Sequence, residues 1–292
     1  MRAVLAVEFQ ENWLEVLQSP FMRNALIGGS LVAIAAGLLG YFVITRQNAF
    51  AAHALAHIGF PGATGAILVG APVTLGLAVF CVGGGLLIGL LGRRVADREM
   101  ATGTILALAT ALGVLFASLA SANASTTTSV LFGNLLAISD DQLLVFGAFT
   151  AAVVLTLAVL ARPLVFASVD PAVAEARGVP VRALGIAFVV LLALTITMAV
   201  QVVGTLLLFA LVVTPAATAL RITARPALVA ALAVALALAS VWGGLVLSAM
   251  VDLPPSFFIV SLAVLAWLAV LAWTGRRYRS PEPRLPDAHH PH

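Results

Sequence analysis

Along most of this chain the hydrophobic positions do not alternate with polar ones; they run on. Between residues 20 and 275, apolar segments follow one another with only short breaks of proline, glycine, arginine or aspartate. A run of about 20 apolar residues lets a helix cross roughly 30 Å of hydrocarbon. Strands of a closed barrel would alternate apolar and polar positions, so continuous runs mean helices. The pattern therefore predicts an all-α polytopic membrane protein of eight to nine spans. They fall at 22–45, 49–70, 72–92, 102–121, 142–161, 184–203, 205–221, 227–250 and 256–274. Between the sixth and the seventh, Gly204 is the only break.

Composition supports the same reading. The chain is 62% hydrophobic and 9% charged, whereas a soluble domain of this size carries roughly a quarter charged residues. Three regions result: an amphipathic N-terminal segment (1–20), a transmembrane domain (21–275) and a disordered tail (276–292). In the first, Leu5, Phe9, Trp13 and Val16 recur at helical spacing opposite Glu8, Glu11 and Glu15. That spacing suits a helix lying on a membrane surface rather than a signal peptide. The tail "RSPEPRLPDAHHPH" is polar and proline-rich, without a defined metal site.

Charge placement adds an orientation. Arg46, then Arg93, Arg94 and Arg98, then Arg162, Arg177 and Arg182, then Arg221 and Arg225, and last Arg276, Arg277 and Arg279 fall in alternate connections. The connections between them hold Asp140, Asp141 and Asp252 but no arginine. Positive charge stays on the cytoplasmic side, so the C-terminus is expected in the cytoplasm and the N-terminus outside. All fifteen basic residues are arginine. Without lysine the chain has no phosphate-binding P-loop, no Schiff-base lysine and no kinase-type lysine, so it is not expected to be an ATP-hydrolysing enzyme. Any ATP is bound by another chain. Cys81 is the single cysteine, which excludes an internal disulfide and a thiolate cluster. Basic residues scattered between apolar runs do not form a nucleic-acid surface.

The polar residues inside the spans carry the functional question. In "AFAAHALAHIGFPGATG" (49–65), His53 and His57 stand four apart, on one face of a helix otherwise made slim by alanine and glycine. Such a pair ligates a divalent metal, relays protons, or hydrogen-bonds to neighbouring helices; spacing alone leaves the three open. Pro61 is expected to bend this helix or interrupt its hydrogen bonding just beyond the pair. "SVLFGNLLAISDDQ" (129–142) is apolar but too short to span, so it dips into the membrane or lies along it, with Asn134 inside it. "SVDPAVAEARGVPVRAL" (168–184) starts a short helix at Asp170-Pro171 and stops it at Gly178. Gln201 is an isolated intramembrane amide suited to interhelical hydrogen bonding, and Pro215 marks a kink or helix end.

Taken in order, these motifs resemble the permease subunits of ABC-type zinc, manganese and iron uptake systems. "HALAHIGFPG" (53–62), "LFGNLLAIS" (131–139), "AEARGV" (174–179) and "VGTLLLFALVVTPAATA" (203–219) carry the likeness, which covers roughly Pro20 to Trp273. His57 matches the family's histidine. His53 stands where aspartate is common, and Asn134 also replaces an acidic residue. The resemblance implies inward transport of a divalent metal through the bacterial plasma membrane, with no permanently bound cofactor. It implies a separate cytoplasmic ABC ATPase, an extracytoplasmic metal-binding protein and a permease homodimer. It makes His53 and His57 the metal ligands, and Asp170, Glu175, Arg177 and Gly178 the segment that couples to the ATPase. Asn134, Gln201 and Pro215 would line the pathway or pack its helices. Because imidazole suits zinc, copper, iron and nickel and oxygen suits manganese, zinc is expected ahead of manganese or iron. The alternatives are a proton-coupled secondary metal transporter and a metal-sensing membrane scaffold.

Overall fold

The computed structural model describes residues 13–91, 95–119 and 132–277. Helices account for nearly all of them: α1 (Trp13–Gln18), α2 (Pro20–Thr45), α3 (Ala49–Val69), α4 (Val73–Leu91), α5 (Val95–Leu119), α6 (Asp140–Val169), α7 (Pro171–Ala176), α8 (Val181–Val212), α9 (Thr214–Ile222), α10 (Pro226–Val251) and α11 (Pro255–Arg277). A 3₁₀ turn at Leu135–Ala137 precedes α6. The amphipathic residues Leu5 and Phe9, the cluster Arg93 and Arg94, residues 122–131 and the tail from 278 lie outside the described residues.

Eight helices are long and apolar enough to cross a membrane. The ninth expected span is instead a shorter apolar helix, Leu208–Ile222, which follows the break at Gly204. Hydropathy alone could not show this, because the residues on both sides of Gly204 are equally apolar. Three expected boundaries also move. Helix α6 continues past Arg162 and Pro163 to Val169, because Leu164 and Ala167 remain buried in the core. Helix α5 begins at Val95 rather than at 102, and α8 begins at Val181 rather than at 184.

Two tiers make up the bundle. Helices α2, α3 and the first part of α8 have 67%, 61% and 61% of their most apolar window buried, against 17% for α5 and α11. The first group forms the interior, and the second presents its apolar surface outward, toward lipid. Helix α2 packs most extensively on α10, and Gly37 lies against the backbone of Val234. Helices α3 and α4 meet at Gly62 and Gly76, where a Cβ on either would land on the carbonyl of the other. That is how small residues bring membrane helices into backbone contact. Pro61 removes one N–H, yet α3 continues unbroken to Val69.

The two ends of the bundle differ in chemistry. At one end Arg46, Arg98, Glu175 and Arg182 gather around a common cavity. At the other, Asn24 Nδ2 donates to Asp140 Oδ1 at 2.8 Å, and Gln201 gathers side chains from α4 and α6. The connections that bear arginine thus meet at one end, and those that lack it meet at the other.

Candidate functional site

His53 and His57 project from α3 one turn apart, with ring centroids 4.8 Å apart and ring planes at 77°. Both are half-buried. Helix α3 starts at the arginine end, so at 1.5 Å per residue the pair sits roughly 6 and 12 Å along a helix about 30 Å long. Across from them is the segment after the Gly204 break: the ring of Phe209 lies 6.4 Å from that of His53. This segment runs back toward the arginine end, antiparallel to α3.

Two buried side-chain atoms lack a hydrogen-bond partner among the described residues: His53 Nδ1, in the seam between α3 and this segment, and Thr205 Oγ1, one turn before Phe209 on the facing segment. A buried polar atom left unpaired costs about 1–3 kcal/mol. The threonine orphan has a local cause. Helical threonines return their hydroxyl to the carbonyl four residues earlier, as Thr195 does to Leu191 and Thr197 to Ala193. For Thr205 that carbonyl is Gln201's, which lies beyond the break and accepts the Asn134 N–H at 3.0 Å. Gly204 makes the break possible: its φ of 81° and ψ of 169° define a region open essentially to glycine alone.

Among the described residues no group of three or more His, Cys, Asp or Glu comes together. The two facing segments thus offer two imidazoles and one hydroxyl, a sparse and neutral set of donors. Such a set can hold a divalent cation briefly but does not form the closed cage of a structural site. Neither Thr205 nor Phe209 stood out in the sequence. Their one signal was proximity to Gly204, the sole interruption in a long apolar run.

Asn134 and Gln201, predicted separately, are brought together. The loop 132–138 tucks into the Gly204 break, with Leu135 and Ile138 buried and Gly133 against the backbone of residues 202–204. Gln201 Oε1 accepts from Thr74 Oγ1 at 2.9 Å and from Gln142 Nε2 at 3.1 Å. Its Nε2 donates to Thr197 O at 3.0 Å. Gln142 also closes a capping box with Ser139 at the start of α6. Pro215 stands apart, buried in the first turn of α9, where a missing N–H costs nothing.

The segment 170–178 is a separate feature at the arginine end. Asp170 Oδ1 accepts the N–H of Val173 at 3.0 Å and caps α7. Ala174 is buried and anchors the helix, while Glu175 and Arg177 are exposed. Gly178, with φ of 81°, ends the turn as expected.

Comparison with known proteins gives one consistent result. The ABC 3 transport family matches residues 18–274. The "Manganese transport system membrane protein MntC" of Halalkalibacterium halodurans is 31% identical over 85% of this chain and 86% of its own length. The "Probable iron transport system membrane protein" of Haemophilus influenzae is 29% identical over 92% of this chain and 99% of its own. Among solved structures, "PsaBC from Streptococcus pneumoniae in complex with Fab" matches with a TM-score of 0.79 and 28% identity, covering 89% of this chain and 94% of that one.

Proposed function

The chain belongs to the ABC 3 transport family, and from that premise we propose that it carries a divalent transition metal inward past His53 and His57. It is a multi-pass membrane permease of the metal-uptake type, and ATP hydrolysis belongs to a separate subunit. Membership in this family removes the reason for a proton-coupled secondary transporter or a metal-sensing scaffold.

One observation carries the site assignment. A half-buried imidazole pair faces a broken helix through Phe209, and the two buried polar atoms without a partner among the described residues are His53 Nδ1 and, one turn before Phe209, Thr205 Oγ1. Proteins rarely leave such atoms unpaired, and a passing cation or its hydration water satisfies them. His57 and His53 act as cargo ligands, with Thr205 as a neutral oxygen on the facing segment. Weak, neutral coordination suits a site that must both accept the metal and release it.

For the cargo, similar proteins are named for manganese in six cases and for iron in one. We therefore place manganese first and iron second. The expectation of zinc first finds no support there. Two nitrogen ligands do not by themselves select among first-row divalent metals, whose choice depends on the whole ligand set.

Alternating access completes the reading. A metal-delivering protein docks on the arginine-poor end, which faces outward, and the ATPase docks on α7 through Asp170, Glu175, Arg177 and Gly178. The C-terminus is cytoplasmic, and two permeases stand side by side. In proteoliposomes holding the permease with its ATPase, His57→Ala is expected to reduce manganese uptake more than tenfold while ATP hydrolysis continues. Normal uptake of manganese, iron and zinc by the double variant His53→Ala/His57→Ala would remove the pair from the route.

A further inference from the structure

Helix α3 has a second functional face. Ala51 and Leu55 lie two residues from His53 and His57, about 200° around the helix, and they line a cavity of about 380 Å³ between α3, α4 and α8. This cavity is thus separate from the metal seam. Its volume falls within the roughly 300–1,000 Å³ of small-molecule sites. Its rim holds Arg46, Arg98 and Arg182 with a single acid, Glu175, and its apolar floor includes the accessible side chains of Leu90, Ile186 and Val189.

Among the described residues the two inner arginines are partly buried and hydrogen-bond to neutral groups, with the Glu99 carboxylate close enough to act on Arg98. Arg46 Nη1 donates to Ser168 Oγ at 3.4 Å, and its guanidinium lies 5.5 Å from the centre of the Phe188 ring. Arg98 Nη2 donates to the Arg46 carbonyl at 3.4 Å. Burial, and then the positive charge of Arg98, lower the Arg46 pKa from its ordinary value. The protein thus holds two like charges side by side at a membrane boundary. Intramembrane and boundary arginines ordinarily pair, and planar guanidinium groups match phosphate oxygens with two parallel hydrogen bonds.

We propose that this cavity binds the phosphate headgroup of an anionic phospholipid, with the arginines on the phosphate and an acyl chain along the apolar floor. A free anion would satisfy the rim but leave the floor without a partner. An amphiphile matches both. Basic pockets between membrane helices on the cytoplasmic side are suited to lipid headgroups. Glu175 joins the rim to α7, so the lipid also reaches the segment we assign to coupling.

The test uses the full-length permease extracted in mild detergent from membranes of phosphatidylglycerol and phosphatidylethanolamine, with retained lipid counted by native mass spectrometry. Preferential retention of phosphatidylglycerol is expected, falling at least tenfold in Arg46→Gln/Arg98→Gln. Arg182→Gln, an exposed rim change that disturbs no packing, is expected to lower it about threefold. Arg162→Gln, beside a different groove, should leave it unchanged. Equal retention of the two lipids, or retention unaltered by both the double variant and Arg182→Gln, would overturn the proposal. So would inorganic phosphate binding the delipidated chain as tightly as dioleoylphosphatidylglycerol does, because that result assigns the cavity to a free anion.

Discussion

The two ends of this bundle are held by opposite chemistry. At the arginine-poor end the buried polar network is built of neutral amides and hydroxyls, closed on one another: Gln201 accepts from Thr74 and Gln142, donates to Thr197, and its backbone receives Asn134. At the arginine end the groups are charged, partly buried and bonded to neutral neighbours. A closed network resists change, because breaking one bond strands several buried atoms. An excess of one charge instead invites a partner. The difference assigns rigidity to one end and recognition to the other, and substitutions can challenge that assignment.

The largest effect on stability is expected at Gly204. Gly204→Ala forces a Cβ into a backbone conformation that costs about 1–3 kcal/mol, and it crowds the 132–138 loop as well. Thermal unfolding in detergent should show the loss, and manganese uptake should fall with it. An unchanged melting temperature would mean the break is not held as described.

Gln201→Leu comes next. It removes the acceptor shared by Thr74 and Gln142, with an expected loss of about 1–2 kcal/mol, near the upper range for interhelical hydrogen bonds in membranes. Co-purification of the ATPase should remain as in the parent protein. A variant that keeps full stability but loses ATPase binding would reverse the assignment of the two ends.

At the opposite end, Glu175→Arg combined with Arg177→Glu should weaken ATPase co-purification severalfold while stability changes by less than about 0.5 kcal/mol, as for exposed positions elsewhere. Unaltered assembly together with unaltered coupling would reduce α7 to an ordinary connection. The smallest effect is expected for Trp242→Phe. It deletes a 2.8 Å bond from Nε1 to Ser30 Oγ on an exposed ring, and the expected loss is about 0.5 kcal/mol.

What the sequence revealed depended on whether the signal was local. Hydropathy is a property of neighbouring residues, so it found the spans, and His53 and His57 stood out against alanine and glycine. The break at Gly204 was visible for the same reason. Its consequence was not, because an apolar run reads alike whether or not its backbone is broken. Hydropathy therefore left open whether 184–221 forms two spans or one span and a half-helix. Contacts between distant residues were also hidden. Arg46 and Arg98 lie in different connections, and only the packing of α3, α4 and α8 places one guanidinium against the backbone of the other. Thr205 escaped notice because an orphaned hydroxyl is defined by the carbonyl it fails to reach, and Asn134 occupies that carbonyl. The histidine motif and the stretch following Gly204 were each recognisable. Their meeting, through Phe209 and His53, is a product of the fold.

The glycine contact between α3 and α4 restricts how the gate can work. With Gly62 and Gly76 pressed together at their backbones, neither helix can roll without the other. The imidazoles are thus mounted on a stiff two-helix lever rather than on an independent rotor. On the alternating-access route proposed above, opening toward either side would swing that lever as a unit against the short helix opposite, so the rings would keep their mutual spacing while their distance from Phe209 changes.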